Sequence, residues 1–357
     1  MLSQFLKKLS IITFMLLFGS KVFADGHGSI KIGILHSLSG TMAISETTLK
    51  DTMLMLIDEQ NKKGGLLGKK LEPVVVDPAS NWPLFAEKAR ELLTVSKVDV
   101  MFGCWTSVSR KSVLPVIEEL NGLLFYPVQY EGEESSKNVF YTGASPNQQA
   151  IPATDYYLEE LGVKKFALLG TDYVYPRTTN KILKQYLIDN GIPESDIFVN
   201  YTPFGHSDWS KIVGDVVALG ADGKKVGVIS TINGDANIGF YKELAAAGIK
   251  ADDIPVVAFS VGEEELSGLD TKNLVGHLAA WNYFQSAESD LNTNFIKQWK
   301  NTMGDKRVTN DPMEAHVIGF KMYVKAVEKA GTTDVDAVRK AMYGLKVPNL
   351  TGGVAEM

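Results

Sequence analysis

The sequence contains one cysteine, Cys104, and five histidines in 357 residues. A single cysteine cannot close an internal disulfide, so the folded chain must be stable through its hydrophobic cores alone. No histidine stands at metal-ligand spacing from another histidine or from Cys104, and no His-Glu-x-x-His motif occurs. We therefore predict neither a disulfide nor a metal site. The histidines are His27, His36, His206, His277 and His316.

Motifs of catalysis and of cofactor binding are also missing from the sequence. There is no Gly-x-Ser-x-Gly nucleophile turn, no phosphate-binding loop and no Gly-x-Gly-x-x-Gly after a strand. Cys104 follows a predicted strand, where a hydrolase could place its nucleophile. The sequence shows no base beside it, however, and cysteine is among the residues most often buried. We predict a protein without catalytic residues and without a cofactor, and hence not an enzyme.

Long apolar runs and clusters of basic residues are absent as well. The formal net charge is −6 and no Lys/Arg cluster interrupts it, which argues against a nucleic-acid partner. The apolar run at residues 11–18 is much shorter than the ~20 residues that span a bilayer. Lys7 and Lys8 precede this run and Val22-Phe23-Ala24 follows it, a pattern typical of a cleaved secretory signal. We predict a signal peptide over residues 1–24 and a periplasmic mature chain that begins at Asp25 and carries no lipid anchor.

The rest of the chain has the pattern of a large α/β protein. About 330 residues are more than one hydrophobic core usually serves, so two lobes are expected. Nearly continuous apolar segments alternate with amphipathic ones, which is typical of parallel sheets covered by helices on both faces. The predicted fold is therefore two doubly wound parallel-sheet lobes joined by a hinge. The predicted strands cover residues 30–34, 71–76, 98–102, 123–126, 166–170, 197–201, 226–231 and 255–259.

Four of the predicted strands end in polar or aromatic residues. Ligands of open parallel sheets bind at the carboxyl ends of the strands, where loop side chains and helix starts converge. Aromatic rings at corresponding ends of two lobes suit the walls of a small cleft. Ser107 and Asp235 each have an alternative role as the N-cap of the following helix. The residues that we expect to bind a ligand are Trp105, Ser107, Tyr126, Gln129, Tyr173, Tyr175, Asn233 and Asp235.

These segments resemble a known family. Residues 61–77 resemble the opening of the type I periplasmic binding proteins of branched-chain amino acid and amide transporters. The segments similar to its amide and urea branch are residues 103–110, 126–132, 141–149 and 170–177, and those most similar to its urea members are residues 232–235 and 276–283. The resemblance implies two lobes that close on a ligand and dock on the permease of an ABC transporter. It also implies a pocket that includes Trp105, Ser107, Tyr126, Tyr173 and Tyr175, and less directly Asp235.

The resemblance further implies how the chain is divided. We expect residues 30–145 plus about 281–345 to form the N-terminal lobe. Residues 146–280 plus about 346–357 are then expected to form the C-terminal lobe. Proteins of this family usually continue for some tens of residues, so the natural C-terminus is expected to lie beyond Met357.

The chemistry of the expected site favours a neutral ligand. Urea offers one carbonyl acceptor, suited to Ser107 or to helix-start N–H groups, and four N–H donors, suited to Asp235, tyrosine oxygens or backbone carbonyls. An amino acid needs partners for two charges, and the sequence shows Asp235 as the one candidate anion, while Arg110 and Arg177 lie further along their helices. We therefore predict a urea-binding transport protein.

The sequence is also compatible with other functions. The same architecture could bind a short-chain amide or a branched-chain amino acid, although the bulk of Trp105 favours a smaller ligand. A cytoplasmic sensor of this fold is disfavoured by the secretory signal, and a secreted amidase by the missing catalytic set.

Overall fold

The computed structural model describes residues 28–357, so the predicted signal peptide lies outside the described residues. The first sheet contains five parallel strands in the order β2-β1-β3-β4-β5. Helices α1 (Ala43–Lys62), α2 (Trp82–Glu91) and α3 (Ser107–Glu119) connect its first four strands. The strands are β1 (Ile30–Leu35), β2 (Leu71–Val76), β3 (Val100–Gly103), β4 (Leu124–Tyr126) and β5 (Val139–Tyr141).

The second sheet repeats this plan with five parallel strands in the order β10-β9-β8-β6-β7. Its helices are α4 (Ala150–Glu159), α5 (Val174–Asp189), α6 (Ser210–Leu219) and α7 (Ala236–Ala246). The strands are β6 (Lys165–Thr171), β7 (Ile197–Thr202), β8 (Val226–Thr231), β9 (Val256–Ala258) and β10 (Leu278–Ala279). Two parallel sheets in two lobes agree with the predicted fold class.

The last helices return to the first lobe. Phe295 and Trp299 of α8 (Asp290–Met303) and Tyr323 of α9 (Asp311–Ala330) are buried in the same apolar cluster as Ile32 and Phe102 of the first sheet. Helix α10 (Val335–Met342) packs on α9. The chain thus passes to the second sheet at residues 142–149 and back at residues 280–289, and these two segments join the lobes.

The C-terminal segment lies in a different place from the one expected. Residues 346–357 were assigned to the C-terminal lobe, but they form an antiparallel hairpin of β11 (Lys346–Pro348) and β12 (Val354–Glu356). Val347 and Leu350 are buried in the first-lobe cluster, and the backbone N–H of Leu350 donates to Glu314 of α9 at 2.7 Å. Val347 and Leu350 are thus covered by the first lobe, which corrects the expected boundary.

Local sequence explains where the site helices begin. Asn81 caps α2, with its side chain accepting from the N–H of Leu84, and Pro83 occupies the first turn, where the missing proline N–H costs nothing. At α3 the cap is Thr106, whose hydroxyl accepts from the N–H of Ser109. The alternative role of Ser107 as N-cap is therefore wrong, and its side chain is available for other contacts. None of the helices within residues 28–357 is long and apolar enough to cross a membrane.

Candidate ligand-binding site

The carboxyl ends of both sheets face each other, and the lobes touch across the cleft. Gln129, in the loop after β4, is the central contact from the first lobe and is only 4 % exposed. Its Nε2 donates to the carbonyl of Phe259 at 2.6 Å and lies 3.0 Å from the hydroxyl of Ser260, both just after β9 in the second lobe. The hydroxyl of Tyr175 lies 3.5 Å from the same nitrogen. Gln129 thus joins the lobes in a closed arrangement.

Tyr173, Tyr175 and Asn233 form the wall from the second lobe. All are buried, the Tyr173 and Tyr175 rings lie 6.2 Å apart, and the Tyr173 hydroxyl donates to the Asn233 Oδ1. The backbone N–H of Asn233 donates to the hydroxyl of Thr171 at the end of β6 at 2.9 Å, which fixes the loop. Burial raises the pKa of both tyrosines, so their hydroxyls remain neutral hydrogen-bonding groups.

Trp105 and Tyr126 form the floor from the first lobe. Both are buried, and the Tyr126 hydroxyl donates to the backbone carbonyl of Trp105. Gly103 is needed just before them, because a Cβ at that position would lie 2.3 Å from the carbonyl oxygen of Leu35 on the neighbouring β1. The end of β3 can therefore approach β1 and present the first turn of α3 to the cleft.

The side chain of Ser107 is held by two charged groups that the sequence did not single out for the site. Its hydroxyl donates to the Glu131 Oε2 at 2.5 Å and accepts from the Arg110 Nη1 at 3.1 Å. The Arg110 guanidinium also binds Glu131 (3.3 Å) and Glu134 (2.7 Å). The expectation that Arg110 lies away from the cleft is therefore wrong, because the side chain folds back along α3 to Ser107. An acidic residue two positions after Gln129 was the available signal for Glu131.

Asp235 lies at the rim of the cleft and not inside it. It precedes α7, its side chain makes no capping hydrogen bond, and it is exposed. Its backbone N–H donates to the Thr41 carbonyl of the first lobe at 3.2 Å. Gly234 permits this approach, since its φ is +67° and a Cβ there would lie 2.5 Å from the same carbonyl oxygen. In this arrangement residues 234–235 contact the first lobe through their backbone, whereas the sequence suggested that the Asp235 carboxylate contacts a ligand.

Further contacts close the rim. The Trp82 ring of the first lobe packs on Phe204 of the second with 5.0 Å between centroids. Arg307, before α9, binds Asp51 of α1 at 3.2 Å and reaches Glu264 of the second lobe at 3.9 Å. These contacts surround the Gln129 contact, so the aromatic walls are shielded from solvent in the closed arrangement.

Cys104 is buried at 0 % exposure beneath this site. Burial, and after it the charge of Glu46, raises the pKa of its thiol, so the thiol stays protonated and is a poor nucleophile.

We expect Cys104 in the native protein to react with a thiol reagent at pH 8 at least ~100-fold more slowly than in guanidinium chloride. Labelling followed by mass spectrometry measures this, and equal rates in both conditions would contradict the buried position.

The fold brings together histidines that are far apart in the sequence. His36 Nε2 and His316 Nε2 lie 2.8 Å apart, and His36 Nδ1 lies 3.3 Å from Glu46. Burial lowers the pKa of His316 well below its usual range and raises that of Glu46. Within residues 28–357, no group of three or more His, Cys, Asp or Glu residues could hold a metal ion.

A comparison with known families identifies the chain at the family level. Residues 30–357 match the model of a periplasmic binding protein domain. The chain belongs to the periplasmic binding protein family. The match extends from β1 to the end of the described hairpin, so the family covers both lobes and the cleft between them. Family and fold are those of solute-binding proteins, which agrees with the prediction of a binding protein without catalysis.

Individual relatives support the same family. This binding protein is 25% identical to the Leu/Ile/Val-binding protein homolog 3 of Brucella melitensis over 346 residues, with 95% of this chain and 89% of the relative covered. Its fold is similar to that of LivJ from Streptococcus pneumoniae, solved with isoleucine (TM-score 0.78, 18% identity, 91% of each chain). It is also similar to a solute-binding protein of R. palustris solved with 4-hydroxybenzoate (TM-score 0.79, 20% identity, 92% and 91% covered). The predicted type I fold is thereby confirmed.

Proposed function

We propose that this binding protein captures urea between its lobes and delivers it to the permease of an ABC transporter. The main support is a pair of buried amide atoms. The Gln129 Oε1 from the first lobe and the Asn233 Nδ2 from the second have no hydrogen-bond partner among the described residues, and both residues are at most 4 % exposed. An unmet buried acceptor or donor costs about 1–3 kcal/mol. A small ligand with N–H donors and a carbonyl acceptor satisfies both.

The charges around the site also favour a neutral ligand. Arg110 is paired with Glu131 and Glu134, and Lys111 lies 3.7 Å from Glu131. These buried or half-buried charges balance one another inside the first lobe. An amino acid would have to compete for them with its own carboxylate and ammonium, and each charge left unpaired in the closed cleft is costly. Urea requires hydrogen bonds alone.

A branched-chain amino acid is the second candidate, and the names of the relatives favour it over urea. Several relatives are named Leu/Ile/Val-binding, although at 25% identity or less a ligand can differ. One feature of the site also favours it. Glu265 in the second lobe is 2 % exposed, and its Oε1 has no hydrogen-bond partner in the described part of the chain. Glu265 begins the short 3-10 helix Glu265–Gly268, five residues after Ser260, and its carboxylate could hold an α-ammonium group.

Titration calorimetry of the mature protein distinguishes the two candidates. Urea, formamide, acetamide, leucine and isoleucine are titrated separately at pH 7.5. We expect saturable one-site binding of urea and at least ~100-fold weaker binding of the amino acids, because a site built for neutral groups leaves their charges unpaired. Tight binding of leucine or isoleucine with no heat from urea would establish the second candidate.

The periplasmic location rests on the predicted signal peptide at residues 1–24.

A further inference from the structure

We infer that Glu131 is the specificity-determining acceptor of this site, and that it selects ligands by their N–H donors. The inference rests on the proposed function and adds a residue to it. Ser107 and Arg110 are positioning residues in this arrangement, since each acts on the ligand through the Glu131 carboxylate. Three observations support it: where the carboxylate lies, how it is held, and how the Ser107 hydroxyl is used.

The Glu131 carboxylate lies on the first-lobe side of the cleft, beside the contact between the lobes. Glu131 is 2 % exposed and stands two residues after Gln129, which bonds to Phe259 across the cleft. Its Oε2 accepts from the hydroxyl of Ser107, which lies in the first turn of α3, two residues after Trp105 of the floor. The carboxylate is thereby placed next to both the floor of the site and the contact with the second lobe.

The carboxylate is fixed in position but retains acceptor capacity. Its Oε2 accepts from Ser107 and its Oε1 accepts from Arg110 at 3.3 Å. An ionised carboxylate can accept about four hydrogen bonds, so these two leave room for ligand N–H groups. Arg110 is itself held by Glu134 and lies over the Tyr126 ring at 4.5 Å. The network orients the acceptor before the ligand arrives, which lowers the entropy cost of binding.

The Ser107 hydroxyl has a different role from the one that the sequence suggested. Its single O–H group donates to Glu131, so it cannot also donate to a ligand carbonyl. In the first turn of α3 the N–H of Ser109 is capped by Thr106. The N–H groups of Ser107 and Val108, which no intrahelical acceptor satisfies, are suited to the ligand carbonyl. A ligand with a carbonyl and N–H groups on the same carbon, as in urea, can bridge the helix start and the neighbouring carboxylate.

The test is calorimetry of Glu131→Gln with urea, beside the wild type. Gln keeps the shape and one acceptor oxygen but loses the charge, so we expect about a tenfold or greater loss of affinity. Glu119→Gln is the matched control, because it also removes a first-lobe carboxylate from an arginine. Glu119 pairs with Arg90 of α2 at 2.6 Å, outside the network of Ser107, Arg110 and Glu131. This control should bind urea within about threefold of the wild type, with lower stability as its main effect.

The outcomes separate the inference from the proposed function. If the wild type binds no urea, the proposed function is wrong whatever the variants do. If the wild type binds urea and Glu131→Gln binds it equally well, the inference alone is wrong. Equal losses in both variants would show a general effect of removing a carboxylate from the first lobe, which also overturns the inference. Should Glu131→Gln not fold, Glu131→Asp replaces it: a folded variant with reduced affinity supports the role, and one with full affinity refutes it.

Discussion

Replacing Gln129 with alanine should weaken ligand binding by roughly 10- to 100-fold without destabilising either lobe. In the closed arrangement the Gln129 amide donates to the Phe259 carbonyl at 2.6 Å and lies 3.0 Å from the Ser260 hydroxyl. The Phe259 carbonyl otherwise has a longer bond from Gln149 at 3.4 Å, and Phe259 and Ser260 are both buried. Alanine leaves them without this donor, at about 1–3 kcal/mol per unsatisfied group. The penalty applies only to the closed form, because water reaches these groups when the lobes separate. Since ligand affinity depends on closure, the loss appears as a higher Kd.

The measurement is calorimetric affinity together with X-ray scattering of the ligand-saturated protein. We expect a larger radius of gyration for Gln129→Ala than for the wild type at equal saturation. Gln60→Ala is the matched control, because Gln60 also donates its Nε2 to a backbone carbonyl, that of Gly65 at 2.7 Å, but entirely within the first lobe. It should cost about 1 kcal/mol of stability and leave Kd unchanged. Wild-type affinity in Gln129→Ala would show that the bond between the lobes contributes nothing to closure.

The sequence predicted the long strands well, for a physical reason. Strands such as β6 and β8 are buried on both faces, so their residues form continuous apolar runs that can be recognised without a structure. The strands that were missed are short: β5 has three residues and β10 has two. Their pairing depends on neighbouring strands, and so few residues carry no periodic pattern of their own. The hairpin at β11 and β12 was missed for the same reason.

The candidate site was predicted in outline because its geometry follows from topology. The carboxyl ends of parallel strands must meet at one edge of a sheet, so Trp105 could be grouped with Tyr126 in the first lobe, and Tyr173 with Asn233 in the second, from the sequence. The Arg110 contact could not be predicted. It lies one turn further along α3, and only the conformation of its long side chain and of the loop after β4 brings it to Glu131 and Ser107.

The position of the Asp235 side chain could not be predicted from its local sequence. An acidic residue between a strand end and a helix start has the composition of a ligand contact or of an N-cap. In the structure it is exposed and makes no capping hydrogen bond. The approach of Gly234 to Thr41 decides the conformation of this loop, and that contact joins residues from different lobes. Sequence spacing carries no information about how closely two lobes meet.

Two buried carboxylates beside the segments that join the lobes should contribute to the pH dependence of stability. The Asp311 Oδ2 accepts from the N–H groups of Asn282 and Tyr283 at 2.8 and 3.0 Å, and Glu314 accepts from Leu350. Burial, and then the nearby charge of Glu314, raises the pKa of Asp311 to about 7. Burial raises the pKa of Glu314 to about 6.

The sign of the effect follows from proton binding. Between the usual pKa of an aspartate, 3.8, and about 7, the folded protein holds a proton on Asp311 that the unfolded chain has released. This contribution therefore decreases as pH rises through that window and is lost above about pH 7. His316 acts in the opposite direction, since burial lowers its pKa and the unfolded chain binds the proton below about pH 6.5. Burial also raises the pKa of Glu46 and Glu265. The wild-type curve therefore sums several groups, and a variant is needed to isolate Asp311.

Asp311→Asn isolates it, because asparagine keeps an oxygen that can accept both backbone N–H groups but cannot ionise. We expect the free energy of unfolding of this variant, relative to that of the wild type, to increase from pH 5 to pH 8 by on the order of 1–3 kcal/mol. Guanidinium unfolding at each pH measures this, because urea is the proposed ligand and is not suitable as the denaturant. Asp334→Asn, at the exposed start of α10, controls for the same substitution without a buried carboxylate. A constant difference between Asp311→Asn and the wild type at all pH values would show that Asp311 is ionised throughout. Asp311 would then accept the N–H groups of Asn282 and Tyr283 as a charged carboxylate, and its protonation at low pH would weaken these two hydrogen bonds.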